Sequence, residues 1–291
     1  LLDIADIVVG VKPYQTNKGK PKQTKEVVTS KIFTATHKID ETYINCVIGK
    51  DFHKYKFTQK PEMYLSYGKW LAEPRGVAPF FDDEKIIIRQ TSDSIIATID
   101  SEKRINLNNV YNVGRLKRNM SIKYLLGVLN SKLINLIYQN VSQEKGRLFA
   151  EVKKVNLSKL PIIIPSNEID MIDLVDIMLT TNKKLTSMVN KYKNYLLVKF
   201  PEVELPKKLQ NWHELEFGDF IKELNKAIKK SGGAPLSKID EMDWMEVFET
   251  KKAEAQQLKS EIDKTDSEID QMVYDLYDLT ADEIKIVEES A

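Results

Sequence analysis

Along the first 165 residues the apolar positions fall in short runs broken by turn residues, whereas from Glu168 onward they recur every three or four residues. Short runs of β-branched and aromatic residues predict strands, and the later spacing predicts long helices. Strand candidates are Leu1 to Val11, Thr42 to Ile48, Ile86 to Ile88 closed by Arg89 and Gln90, Ile95 to Ile99, and LPIIIP ending at Pro165. The segment GKDFHKYKFTQKPEMYLSYG, 49–68, alternates aromatics with lysines and reads as a half-buried ribbon whose rings pack in a core. The Asn-rich NLNNVYN, 106–112, reads as strand and turn. One helix interrupts this pattern: from Ser121, a suitable N-cap, to about Asn140, Leu125, Leu129, Leu133, Leu136 and Ile137 share a face that should pack across the sheet.

In the second half Met171, Leu174, Met178, Thr181, Leu185, Met188, Tyr192 and Tyr195 form a first seam in alternating steps of three and four. Trp244, Phe248, Lys251, Ala255, Leu258, Ile262, Thr265, Ile269, Met272, Leu276 and Leu279 form a second. Both are coiled-coil patterns, long enough to lie antiparallel as a rod. Between them an amphipathic helix, Phe217 to Lys230, leads into the Ser231-Gly232-Gly233 turn, and Thr280 to Glu283 has capping-box spacing ahead of a last helix. The expected class is α+β: a mixed-sheet domain with a packed helix over 1–165, then a coiled-coil-like helical spacer over 166–291.

Composition sharpens this division. The net charge of the 291 residues is +1, but residues 1–165 carry 27 basic and 16 acidic side chains, +11, and residues 166–291 carry 17 and 27, −10. A basic half suggests a polyanionic partner and an acidic half a solvated scaffold. No apolar run approaches a membrane span and the first residues do not resemble a signal peptide, so a cytoplasmic protein is expected. The chain opens without Met in an apolar stretch, which suggests a piece of a longer polypeptide. Cys46 is the one cysteine, excluding an internal disulfide, and His37, His53 and His213 are not spaced like metal ligands.

The stretch Tyr64 to Gln90 sets two turns, carrying Lys69, Trp70 and Arg75, ahead of the strand that ends in Arg89 and Gln90. Loops held on a sheet commonly carry recognition residues, and planar Arg and Gln side chains can hydrogen-bond a base edge twice. A second segment, KPYQTNKGKPKQTK at 12–25, holds Lys12, Lys18, Lys20, Lys22 and Lys25 with no acid, and Tyr14, Gln15 and Gln23 between them. Its Gly and Pro predict a loop, and its lysines suit phosphate. Arg115, Lys117 and Arg118 precede the helix, and Lys145 and Arg147 lie in the polar turn SQEKGR after it. These residues form the candidate surface for double-stranded DNA, with alternation sending Arg89 and Gln90 to opposite faces.

Catalytic patterns are mostly absent. There is no Walker-type phosphate loop, no Pro-Pro-aromatic element for a flipped base, no F-x-G-x-G cofactor turn and no local Ser/His/Asp or Cys/His signature. Glu62, Asp83 and Lys85 loosely fit the acidic-pair-plus-lysine pattern of Mg²⁺ nucleases, a rival reading beside a polar turn before the Ile86 strand. A coiled-coil scaffold that binds protein is the other.

Several strings together resemble a known family: GVKPYQTNKGKPKQT at 10–24, GKDFHKY at 49–55, YLSYGKWLAEPR at 64–75, KIIIRQT at 85–91, LLGVLNSKLIN at 125–135, LPI at 160–162 and VYDLYDLTADEIKIVE at 273–288. The chain is similar to the C-terminal target-recognition part (the TaqI-like specificity domain) of type IIG restriction–modification enzymes, single polypeptides combining nuclease, adenine methyltransferase and specificity module. The resemblance implies that catalytic motifs lie upstream, outside this sequence, in domains using S-adenosylmethionine and Mg²⁺, and that this piece carries no cofactor of its own. It also implies a mixed domain that grips DNA followed by a helical spacer. Lys12, Tyr14, Lys20, Lys22, Gln23, Lys69, Trp70, Arg75, Arg89 and Gln90 fall on its motif positions.

Overall fold

The computed structural model describes all residues except Gln59, Ala78, Asp83, Arg118 and Ala291. In chain order the strands are β1 (Asp6–Val9), β2 (Thr34–Ala35), β3 (Tyr43–Val47), β4 (Phe52–His53), β5 (Lys56–Phe57), β6 (Met63–Ser66), β7 (Lys85–Arg89), β8 (Ala97–Asp100), β9 (Ile105–Asn106) and β10 (Val110–Gly114). The α-helices are α1 (Lys25–Ser30), α2 (Ile122–Asn130), α3 (Lys132–Ser142), α4 (Lys154–Leu157), α5 (Ile169–Lys199), α6 (Lys207–Gln210), α7 (Phe217–Lys230), α8 (Lys238–Leu276) and α9 (Ala281–Ser290). This is the α+β class the pattern predicts. Among the described residues no helix is long and apolar enough to cross a membrane.

Two compact units result: Leu1–Asp176 together with Asp266–Ala291, and Ile177–Thr265. The chain was expected to divide once, after residue 165. Instead the last 26 residues return to the sheet unit, and the second unit is an insertion that takes in the later part of α5, α6, α7 and the earlier part of α8.

In the first unit, β1-β10-β7-β8 make an antiparallel four-stranded sheet. The run KIIIR of β7 is central, and Ile86, Ile87 and Ile88 are all fully buried, as an uninterrupted apolar run requires. A second sheet, β2-β6-β3-β9, is antiparallel except for the parallel β3–β9 pair. β4 and β5 form a separate hairpin. Asn106 of β9 and Asn112 of β10 join the two sheets through their side-chain amides. Beside them Gly10 has no substitute, because a Cβ there would lie 2.1 Å from the Leu107 carbonyl oxygen. Cys46 is wholly buried, and desolvation, reinforced by the Asp51 charge, pushes its thiol pKa far up, as befits a packing residue.

The single helix expected from Ser121 is two, broken at Ser131. Ser131 caps α3 by accepting from the Ile134 N–H, and Asn130 turns its amide out of the helix onto the backbone of Ala97, accepting from its N–H at 3.1 Å and donating to its carbonyl at 3.0 Å. Asn135 accepts from the Ile95 N–H at 2.7 Å. These asparagines satisfy the outer edge of β8, where an open strand would otherwise present unpaired groups. Two further strand expectations fail: residues 160–165 are irregular, and the first strand begins only at Asp6. The Thr280–Glu283 capping box forms as read, with Glu283 accepting from the Thr280 N–H at 2.8 Å.

In the second unit Thr181 bonds Glu261 while Tyr192 and Tyr195 meet Trp244, so the two helices run antiparallel there. Along α5 the buried positions are Met171 and Val175 in the sheet unit, against Gly127 of α2, and then Met178, Thr181, Asn182, Leu185, Tyr192 and Leu196 in the second unit. The expected seam therefore slips by one residue at Leu174 and Tyr195, whose neighbours Val175 and Leu196 are inside. On α8, Phe248, Ala255, Thr265 and Ile269 are buried as expected. α7 closes this unit around Trp212, Phe220, Leu224 and Phe248.

Candidate nucleic-acid interface

The lysine loop is a built structure. Its backbone is clamped to residues 69–73: the Lys20 N–H donates to the Lys69 carbonyl at 2.8 Å, Ala72 to Pro13 at 3.1 Å and Glu73 to Lys12 at 2.9 Å. Buried Gln23 is the central rivet. Its amide nitrogen donates to the carbonyls of Pro13 (2.8 Å) and Trp70 (2.9 Å), and its oxygen accepts from the Gln15 N–H at 2.9 Å. Gly19 sits at φ +86° with the Trp70 carbonyl oxygen 2.3 Å from where a Cβ would be, so only glycine permits this approach. The consequence is electrostatic: Lys18, Lys20, Lys22 and Lys69 are exposed together on two tied loops. Among the described residues none of the four has an ion-pair partner. Such a cluster repels itself until an anion arrives.

Other candidates on this end have internal duties. Tyr14 stacks on Phe33 at 5.6 Å, accepts from the Phe33 N–H and bonds Thr34, and burial raises its hydroxyl pKa. Trp70 lies over Gly68 and donates to the Ser66 carbonyl at 3.0 Å. Arg75 donates to the Gly10 carbonyl at 3.2 Å and pairs with Glu73 at 3.0 Å, while the Lys12 ammonium bonds Gln15 at 2.7 Å. For Gln23, Tyr14 and Trp70 this places the side chain in the scaffold of the site instead of its reading surface.

A row of backbone bonds extends this end of the first sheet. Asn108 donates to Val11 at 2.8 Å, Gln90 to Asn109 at 2.9 Å, and Val152 to Gln90 at 2.7 Å. The lysine loop, Arg89 with Gln90, and the turn carrying Lys145 and Arg147 thus leave the sheet at one end. Arg89 turns inward, donating to the Phe52 carbonyl with its guanidinium 5.8 Å from the Phe52 ring, and desolvation lowers its pKa. Gln90 is half-buried. Lys145 donates to the Ser290 carbonyl at 2.6 Å and Arg147 pairs with buried Glu144 at 3.4 Å.

Arg115 and Lys117 do not join this cluster. They follow β10, which runs antiparallel to β7, so they emerge at the opposite end from Arg89. There Arg115 pairs with Asp82 at 3.5 Å, and Lys117 with Asp6 at 3.5 Å and the Leu2 carbonyl at 2.9 Å. Arg118 lies outside the described residues. A basic run adjacent in sequence to a helix start carried no sign of which sheet end it would leave from.

The nuclease triad also comes apart. Lys85 is fully buried and pairs with equally buried Asp100 at 3.1 Å, and Asp100 is held in turn by Arg104 at 3.0 Å. An ammonium committed there cannot meet a phosphate. Asp83 lies outside the described residues. No group of three or more His, Cys, Asp or Glu among the described residues is arranged to hold a metal ion.

Against this geometry the comparisons with known proteins are specific. Residues 45–162 match the TaqI-like C-terminal specificity domain. The specificity region runs from within β3 to beyond α4 and includes Lys69, and α1 and β2 separate it from the lysine loop. Residues 165–273 match a domain of unknown function (DUF8810). A protein of Methanocaldococcus jannaschii, named provisionally as a type II restriction enzyme and methyltransferase, is 30% identical over 148 residues, 49% of this chain and 12% of that one. The chain thus spans about an eighth of that relative. A structure of the type IIL restriction–modification enzyme MmeI in complex with DNA aligns over 85% of this chain and 36% of its own, at 13% identity and a TM-score of 0.39.

Proposed function

We propose that this chain recognises a double-stranded DNA target within a restriction–modification system, as the specificity part of a type IIG enzyme. The observation that carries the reading is the set of four exposed lysines without carboxylate partners, on loops clamped together at one end of a sheet that belongs largely to the specificity region. Lysines at phosphates supply affinity and position, and polar side chains on the same end read base edges. In this reading methyl transfer from S-adenosylmethionine to adenine and Mg²⁺-dependent cleavage belong to upstream domains of one cytoplasmic polypeptide, and the chain's own residues bind and orient the duplex.

The test is selection of bound duplexes from a randomised pool by the full chain, with affinity measured across salt. A single enriched motif, with binding that weakens steeply as salt rises, is expected. Absence of duplex binding at ~50 mM salt, where such contacts are strong, overturns the reading.

A further inference from the structure

Just beyond the Lys145–Arg147 turn stand Leu148 and Phe149, 89% and 87% exposed, the barest large apolar side chains among the described residues. Water-facing Leu and Phe side by side make an apolar surface whose covering by a partner is favourable. The segment is held on both sides. Upstream, the Gly146 N–H bonds Asp93 at 3.3 Å, the Arg147 N–H donates to the Glu144 carbonyl at 3.1 Å, and buried Glu144 pairs with Lys153 at 2.8 Å. Downstream, Val152 is fully buried and donates to Gln90. Nothing in the residue order marks this exposure, since an apolar pair ahead of Val152 reads as ordinary packing.

Charge says what the tip meets. Lys145, Arg147, Lys153 and Lys154 flank it along the chain, Glu144 is already engaged by two of them, Asp93 is half-buried against the Gly146 N–H, and Glu151 is the one exposed acid of 144–154. The tip also shares its sheet end with the four unpaired lysines. Proteins that grip phosphates on both sides of an apolar projection use Phe or Leu as a wedge between base steps.

We infer that Phe149, backed by Leu148, inserts into the base stack of the bound duplex and opens one step. This rests on the DNA-recognition reading above and adds to it a deformation of the duplex. Stacking of a base on an aromatic ring is sequence-tolerant, so the wedge contributes affinity and favours steps that part easily.

The test uses the full chain and fluorescein-labelled duplexes of random sequence, either fully paired or with one central mismatch that pre-opens a step. The wild type is expected to bind the mismatched duplex about tenfold more tightly. Phe149→Ala should lose that preference, and Phe149→Leu should keep most of it. Both should keep the wild-type salt slope, because every phosphate-binding side chain is still in place. Being at an exposed site, neither change threatens the fold. If the wild type binds duplexes but Phe149→Ala binds both kinds as the wild type does, the wedge is refuted while DNA recognition stands, and Leu148 and Phe149 are a protein contact. If the wild type binds no duplex, the functional reading falls and the wedge with it.

Discussion

Asn106 and Asn112 face each other across the two sheets with both amides engaged, the nitrogen of each donating to the oxygen of the other at 2.6 and 3.0 Å. Asn112 also donates to the Val8 carbonyl at 3.2 Å, so the pair reaches β1, the strand that feeds the lysine loop. A single substitution strands a buried amide without its partner. Asn112→Leu should cost about 2–4 kcal/mol in urea unfolding, from about 1–3 for the orphaned Asn106 amide plus strain. It should also loosen the base of the lysine loop, visible as faster amide exchange at Val11 and Asn108.

The four unpaired lysines should set the salt dependence of DNA binding. Replacing Lys18, Lys20, Lys22 and Lys69 together by Ala should flatten the slope of log affinity against log salt by up to about 4, near 0.9 for each phosphate left without its lysine. Thermal stability should hold or rise slightly, since mutual repulsion is relieved. Arg115→Ala should leave the slope unchanged, because Arg115 leaves the sheet at the other end.

Lys85→Met tests the buried pair. Removing the ammonium leaves the Asp100 carboxylate with the Arg104 guanidinium and the Glu102 and Arg104 N–H groups, so the expected loss is about 3 kcal/mol, the lower end for breaking such a pair. Lys85→Met/Asp100→Leu should rescue only part of this: Arg104 keeps its pair with Glu102, but the Glu102 and Arg104 N–H groups lose the carboxylate that accepts from them.

Asp270, on the returning part of α8, accepts from the Lys132 N–H at 2.8 Å. Burial pushes its carboxyl up to about 6, opposed by that hydrogen bond and by Lys132 and Lys54, and assisted by Asp266. A carboxyl that titrates higher when folded binds its proton more tightly in the native state. Its contribution is therefore fully present below about pH 4 and is lost as pH rises through about 6. Asp270→Asn should remove that fall, so the difference in melting temperature between variant and wild type grows in the variant's favour from pH 4 to pH 7.

Much of this was legible because it depends on local chemistry. The β7 run, the Thr280–Glu283 box and the Phe217 helix follow from residues adjacent in sequence, and each forms where read. The break at Ser131 was hidden because Asn130 gains its bonds from Ala97, a partner 33 residues away. The α5 seam slipped at Leu174 and Tyr195 because two staggered heptad rows on one helix are nearly equal in apolar content, and only the packing partner, Gly127 of α2 in the case of Val175, selects between them. In the site, lysine spacing showed a basic loop, but not that Gln23 would be spent on the Pro13 and Trp70 carbonyls. A glutamine between lysines looks the same whether it faces a base or a backbone.

The return of residues 266–291 to the sheet unit, where Lys132 pairs with Glu288 at 2.6 Å and Tyr274 bonds the same carboxylate, bears on how target preference could be transplanted. A chimaera spliced at one junction after Asp176 would pair a donor's sheet with a foreign closing helix. Exchange at two junctions, keeping 1–176 and 266–291 from the same parent, preserves that clasp, and the intervening helices can then be inherited from either.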